Sequence, residues 1–398
     1  MSTHTAQAAG PAVAFDTPPH TPQGTFAAAL EEWPRERRDA LMARATPDRV
    51  RDALEREHLR PGDFLLLLTP AARPFLEAMA RRAHAETARH FGRAVQLFTP
   101  LYLSDHCTNQ CRYCGFNARN KQPRRHLSLD EAEREARAIA AMGLGHILLL
   151  TGDARHVAPP EYIAAVAARI KPLFASVSVE IYALSEEEYA LLCRNGVDGM
   201  TMFQETYNPT LYAALHPAGP KRDYGWRLAA PERAAAAGMY SMGLGALLGL
   251  DALAHDGFCT GLHAHWLQHA WPGVDVSVSV PRMCPHEGSF DVPHPVDDHA
   301  FVQYITALRC FLPRAGITVS TREAPHMRDN LVPLGVTRVS AGVSTAVGGR
   351  ADKATTSGQF EISDHRDVPA MAAALAARGY QAVLKDWQDA CIENNLLR

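Results

Sequence analysis

The sequence predicts an α/β fold: a closed (β/α)8 barrel of the TIM type with an N-terminal helical extension. Three observations carry this. Eight short β-branched or apolar runs recur between residues 95 and 342. Helical stretches with their own start and stop signals lie between them. Motifs rich in Cys, Gly and charged residues follow directly on those runs, as active-site loops do at the C-terminal face of a barrel. Alternation alone does not show closure, so an open doubly wound sheet is the competing layout.

Residues 1–24 are rich in Ala, Pro, Thr and Gly and read as a loose tail. Residues 25–94 read as helical, with Leu30, Leu41, Val50, Leu54, Phe75, Met79 and Phe91 set among Arg/Glu-rich surfaces. The barrel takes residues 95–398. Its strands are VQLFTPLYL (95–103), HILLLT (146–151), VSVEIY (177–182), GMTMF (199–203), YSMGLG (240–245), DVSVSV (275–280), GITVS (316–320) and TRVSAG (337–342). Ser128–Glu131 and Ser185–Glu188 have the capping-box pattern that starts a helix. Gly143, Gly196 and Gly238 stand where helices end.

Composition narrows the function. The chain has 40 basic and 43 acidic residues, a balance that argues against a nucleic-acid footprint. No stretch approaches the roughly 20 apolar residues that span a membrane. The N-terminus lacks a secretory layout. Five of the eight cysteines are scattered singly, which is no disulfide framework and points to a reducing, cytoplasmic compartment.

The other three, Cys107, Cys111 and Cys114, crowd into one loop, SDHCTNQCRYCGFNAR, directly after the first strand. Thiolates hold zinc or iron–sulfur clusters. A structural zinc wants four closed ligands, and no second Cys pair exists; Cys284 or His106 would have to complete it. Three thiolates suit a four-iron cluster with one iron left open for chemistry. Three free thiols without metal are the plainest alternative.

Other strand ends carry polar residues. Gly152 and Asp153 end the second strand, as an ordinary turn or as an acceptor for an ammonium group. Gln204 and Glu205 emerge from an apolar strand and suit ribose, substrate or salt-bridge contacts. GLGALLGLD (243–251) holds a Gly-x-Gly that is weak as a dinucleotide fingerprint and provides backbone room. Arg322 can clamp a carboxylate with two parallel bonds, unless the adjacent Glu323 pairs with it. His265 and His269 have metal-binding spacing, but an outer barrel helix makes packing their expected role.

The C-x3-C-x2-C spacing, with Tyr113 before the last cysteine and Gly115-Phe116 after it, resembles the signature of radical S-adenosylmethionine (SAM) enzymes. The resemblance implies that the three cysteines hold a 4Fe–4S cluster and that SAM chelates the fourth iron. One electron then cleaves the sulfonium to a 5′-deoxyadenosyl radical. It implies cofactor contacts from Tyr113, from Thr151, Gly152 and Asp153 at the SAM amino group, and from Gly245, Leu247 and Gly249 at the adenine. Glu180, Gln204 and Arg282 are further cofactor-contacting candidates. Asp153 replaces the Glu usual in the family.

VEIYALSEEEYALLCRNGVDGMTMFQETYN, LHPAGPKRDYGWRLAAPERAAAAGM, STRE, RDNLVPLGVT, GQFEISD and LKDW together resemble the aromatic amino acid lyase branch, over about residues 70–390. Within it the tyrosine lyases of thiamine biosynthesis are most similar. This implies abstraction of a hydrogen atom from tyrosine's amino group and cleavage of its Cα–Cβ bond, giving 2-iminoacetate and p-cresol. Arg322, Ser320 and Glu205 would serve the substrate. A flavodoxin or ferredoxin-type donor and thiazole synthase would be partners, and residues 260–390 would form the biotin/thiamine-synthesis-associated region. A tryptophan lyase, a hydrogenase-cofactor maturase and a non-catalytic iron–sulfur electron-transfer protein are the alternatives. A maturase would add a C-terminal cluster domain, where this sequence has only Cys391. Met283-Cys284 stand where the family more often has Leu-Arg, and Val343, Val347 and Arg350 where Ser, Pro and Tyr are expected.

Overall fold

The computed structural model describes residues 24–284, 290–351 and 358–384, so the expected tail and Cys391 lie outside it except for Gly24. All eight expected strands are present: β1 Ala94–Ser104, β2 His146–Thr151, β3 Ser176–Glu180, β4 Gly199–Glu205, β5 Ser241–Ala246, β6 Asp275–Ser279, β7 Gly316–Val319 and β8 Arg338–Ser340. Each pairs in parallel with the next, and β1 pairs with both β2 and β8. The sheet therefore closes, and the open layout is excluded. Parallel strands are covered on both faces and so read as nearly unbroken apolar runs. In β2 the four central residues are all buried.

A ninth strand, β9 (Gln381–Val383), was not expected. It pairs with Ala94–Gln96, and Gly145 N donates to Leu384 O at 2.6 Å. The long β1 starts below β2 and leaves backbone groups there that β9 satisfies. Three residues of ordinary composition carry no strand signal of their own.

Both capping boxes form: the Ser128 and Ser185 side chains accept from the N–H groups of Glu131 and Glu188, whose carboxylates reach back. Gly143, Gly196 and Gly238 end their helices with φ of 86°, 91° and 92°.

The extension consists of α-helices Phe26–Glu31, Arg35–Ala43, Pro47–Glu55, Pro61–Leu67 and Leu76–Phe91. It packs on the barrel helices Leu253–Ala270 and Asp298–Phe311. Phe64 stacks on Phe311 at 4.6 Å, and the Gln303 amide donates to the Leu67 and Thr69 carbonyls. Its buried residues share one contiguous core with the barrel. His263 is buried there, face to face with Phe26 at 3.7 Å and hydrogen-bonded to the Tyr207 hydroxyl at 3.0 Å. Burial pushes its pKa down to about 3, so it packs as a neutral ring. His265 packs beside Phe311 at 5.0 Å, and exposed His269 lies 4.2 Å from it with the rings tilted by 56°, so the pair has surface and packing roles.

After β8 the chain returns over the barrel mouth. Arg328, in the helix Pro325–Leu331, pairs with Asp364 at 2.5 Å, both side chains fully buried. Arg366 holds the same carboxylate. These bonds pin the segment that carries Gln359 and Phe360.

Candidate active site

The cysteine loop leaves β1 through an irregularity: the β1–β2 register shifts between Tyr102 and Ser104. Asn109 braces the loop. Its amide donates to Asp153 Oδ2 at 2.7 Å, and its own oxygen accepts from Lys221 N at 2.9 Å. Thr108 N donates to the Asp153 carbonyl at 2.8 Å, and Gln110 N and Arg112 N donate to the carbonyls of Ala218 and Leu215. Asp153 thus orients the loop through Asn109.

A Cβ on Gly152 would lie 2.3 Å from the His106 carbonyl oxygen and 3.2 Å from the Cys107 Cβ. Only a residue without a side chain lets the loop seat against the end of β2. Gly152→Ala should therefore displace the loop, costing about 1–3 kcal/mol of stability. Thermal unfolding and iron content per chain, both expected to fall, check this.

Burial pushes the Cys111 thiol up to about 12, with Cys114 and Cys107 adding to the shift. Burial also raises Cys114, again with Cys107 contributing. Cys111 and Cys114 feel the neighbouring sulfurs, and these two ionise only where a cation compensates. Three thiols spread over a loop suit a cluster in which each iron takes one thiolate. The Cys284 thiol is directed instead at the carbonyls of Arg282 and Arg322.

Behind the loop, Cys111, Tyr113, Leu215, Leu247 and Leu250 form a small apolar cluster. The Tyr113 hydroxyl meets His216 Nε2 at 2.5 Å. His216 Nδ1 lies 2.7 Å from the Tyr212 carbonyl, to which it must donate. Nε2 is then the acceptor and Tyr113 the donor.

Glu205 ends β4 with φ of 70°, in the left-handed region, where the β4–β5 register also shifts. Leu247 N donates to its carbonyl and holds it there. The strain aims its carboxylate into the cavity, 2.5 Å from Lys221 Nζ and 3.6 Å from Arg227. Burial works against its ionisation, yet the two cations bring its pKa below the ordinary value. Glu180, at the end of β3, lines the same cavity. Burial, and then Glu205, push its pKa up to about 7.

Across the mouth, Arg322 lies flat on Phe360 with its guanidinium carbon 3.6 Å from the ring centroid. Among the described residues no carboxylate pairs with it. Glu323, the expected competitor, pairs instead with Arg282 at 2.8 Å, and Asp298 holds Arg282 from the other side. Ser320 lines the cavity with Arg322, and its hydroxyl accepts from Arg322 N at 3.4 Å.

Of the residues singled out from sequence, Tyr113, Cys114, Glu180, Glu205, Leu247, Ser320 and Arg322 line one cavity. Cys107, Cys111, Thr151, Gly152 and Asp153 do not line it; they sit in the cysteine loop and at the end of β2 that the loop packs on, where the Thr151 hydroxyl is buried without a partner. Gly243 and Gly245 make room inside the barrel for Thr201 and Phe203, and Gly249 turns the chain with φ of 116°. Gln204 and Arg282 do not join the cavity lining: Gln204 is buried with both amide atoms unpartnered, and Arg282 is spent on its ion pairs. Met283, Cys284 and Val343 line the cavity, whereas Val347 is buried and Arg350 donates to Thr99 and the Gly342 carbonyl.

Sequence reasoning missed several groups. Lys221, Arg227 and His216 sit within LHPAGPKRDYGWR, quoted only as a stretch. Gln359 accepts from the Tyr102 hydroxyl at 2.8 Å and approaches Cys114 Sγ at 3.9 Å. Gln359 lies 245 residues beyond Cys114, with Phe360 next to it, and only the pinned return of the chain brings them there.

The donor set therefore fits an iron–sulfur cluster. The cavity beside it offers what SAM and an amino acid need: an apolar wall, buried hydroxyls on Thr321 and Ser340 without partners, two carboxylates and a free guanidinium.

The profile of the Radical SAM superfamily matches residues 101–251, and that of the Biotin and Thiamin Synthesis associated domain matches residues 279–381. The 2-iminoacetate synthases of Escherichia coli (strain K12) and Salmonella typhimurium are each 40% identical to this chain, over 85% of it and 90% of their own length. HydG, a maturase of the FeFe-hydrogenase, superposes with a TM-score of 0.85 at 29% identity, covering 90% of this chain and 81% of that one. HydG from Carboxydothermus hydrogenoformans gives 0.80 at 30% identity, covering 93% and 86%.

Proposed function

The chain belongs to the 2-iminoacetate synthase family of radical SAM enzymes, and from this premise we propose that it cleaves the Cα–Cβ bond of L-tyrosine to 2-iminoacetate and p-cresol for thiamine thiazole biosynthesis. Its cofactors are a 4Fe–4S cluster on Cys107, Cys111 and Cys114 and SAM, which supply a 5′-deoxyadenosyl radical on one-electron reduction. The observation that carries the reading is Arg322: an unclaimed cationic fork, held flat by Phe360, in one cavity with the cysteine loop. Arg322 and Ser320 bind the tyrosine carboxylate and point the amino group toward the cluster side. Tyr113 and Leu247 would hold SAM from the apolar side, and Glu205, with Lys221 and Arg227, would give the polar side. Phe360, Gln359 and Val343 close the mouth against water, which protects a radical from side reactions.

Glu180 makes the rate depend on pH. Its carboxyl is largely neutral below about 7 and charged above. The ionised form is the one that accepts hydrogen bonds from an ammonium or ribose group. Activity should therefore rise with pH through about 7, and Glu180→Gln should flatten that step in a kcat/KM profile.

An electron donor of the flavodoxin or ferredoxin type serves the cluster. The imine product hydrolyses in water, which favours hand-over to a thiazole synthase. No helix among the described residues is long and apolar enough to cross a membrane. All seven cysteines among them are unpaired, in keeping with the cytoplasm. Oxygen-free protein incubated with SAM, reductant and either tyrosine or tryptophan tests the reading. Deoxyadenosine and p-cresol from tyrosine are expected; product only from tryptophan, or none with an intact cluster, overturns it.

A further inference from the structure

We propose that Ser178, supported by His146, is the specificity-determining group that reads the ring hydroxyl of the substrate; this rests on the tyrosine reading above. The cavity does not stop at the mouth. It continues down the barrel axis past Phe98, Leu148 and Phe203 to His146 and Ser178. Ser178 precedes Glu180 by two residues on β3, so it is the next cavity-facing position down, roughly 6.6 Å deeper along the strand. Leu148 pairs with it in register.

The floor is a built hydrogen-bonding site. His146 Nε2 lies 3.0 Å from Ser178 Oγ, and His146 Nδ1 lies 3.4 Å from the Gln96 amide nitrogen. With Gln96 donating to Nδ1, the ring proton sits on Nε2 and donates to Ser178. The serine keeps its own proton for a ligand oxygen. Gly199, opposite Ser178 on β4, leaves space for the hydroxyl: a Cβ there would lie 2.7 Å from Ser178 Oγ. His146 is neutral, its pKa pushed down to about 3 by burial and by Arg338, which is itself paired with Asp275. Phe98 lies against it, ring centroids 5.9 Å apart.

The cavity thus has the Arg322 fork at one end, the apolar side chains of Phe98, Leu148 and Phe203 along its walls, and at the other end the Ser178 hydroxyl on its neutral imidazole, beside Ser241, Ser277 and an Arg338 paired with Asp275. Tyrosine has the same order: carboxylate, ring, hydroxyl. Arg322 and Ser178 face its two polar ends, and a substrate lacking the hydroxyl leaves the floor group unpaired. Such a site discriminates strongly against the analogue without the hydroxyl.

Reconstituted holoenzyme tests this in wild type, Ser178→Ala and His146→Gln, with tyrosine and phenylalanine. The SAM-induced change in the cluster EPR signal verifies the cofactor site. Wild type should prefer tyrosine by at least ~100-fold in kcat/KM. Ser178→Ala should raise KM for tyrosine by about 10-fold and cut the preference by the same factor, whereas His146→Gln, which keeps a donor to Ser178, should recover most of it. Equal losses for both substrates, or an unchanged preference, would make the pair a structural part of the barrel core and overturn the proposal. Should a variant not hold its cluster, wild-type competition decides: 4-aminophenylalanine should compete within about 10-fold of tyrosine and phenylalanine far more weakly. Phenylalanine competing as well as tyrosine refutes the assignment. If wild type forms no p-cresol at all, the tyrosine reading fails instead.

Discussion

Replacing any one of Cys107, Cys111 or Cys114 by alanine should abolish turnover, by at least ~1000-fold, with loss of iron from the protein. The size of the effect follows from the coordination. With three protein ligands, none is spare, and burial raises the Cys111 and Cys114 thiols, which ionise only beside a cation. Losing one removes a ligand and also the charge balance that keeps the other two as thiolates. The fold should survive, because the loop is braced by Asn109, Asp153 and the Leu215–Lys221 backbone and not by the metal alone. Iron analysis, EPR and circular dichroism on the same preparations check the three parts. A variant that keeps its full cluster and its activity would remove that cysteine from the ligand set.

Arg322→Lys should lower kcat/KM for tyrosine by about 100-fold, and Arg322→Ala by more. Lysine keeps the charge but has no planar fork to make two parallel bonds, nor a flat face to lie on Phe360. Two consequences are expected. KM rises because carboxylate binding weakens. Coupling also falls, since a substrate held by one contact swings and its amino group leaves the reacting position. Deoxyadenosine should then form in excess over p-cresol. The ratio of the two products separates this role from a structural one, because a merely destabilised protein loses both in step. Wild-type coupling in Arg322→Lys would place the carboxylate elsewhere.

Legibility differed by the range of the interaction. The eight strands, the capping boxes and the glycine helix ends were readable because each depends on residues close in sequence: burial on both strand faces, a hydroxyl three residues from a carboxylate, a backbone angle only Gly takes easily. The cysteine loop was readable for the same reason, since its three ligands fall within eight positions. Pairings between distant segments were not. Glu323 stands next to Arg322 in the chain, yet the two diverge as β7 ends, and Glu323 meets Arg282 from β6. Gln204 alternates with Phe203 and Glu205, and only the fold shows that those two, and not it, face the cavity.

By itself, the sequence determined the alternation of strands and helices, the loop of three thiols, and the position of polar residues at strand ends, whereas closure of the barrel came from the β1–β8 pairing. The first three are local patterns of hydrophobicity and ligand spacing. Tertiary structure decided which of those polar residues converge. It left Arg322 free and committed Arg282, strained Glu205 toward Lys221, and brought Gln359 and Phe360 back over the mouth. It also opened the cavity down to Ser178 and His146. Those outcomes depend on barrel shear and on a buried Arg328–Asp364 pair between distant segments, and no window of sequence contains both partners.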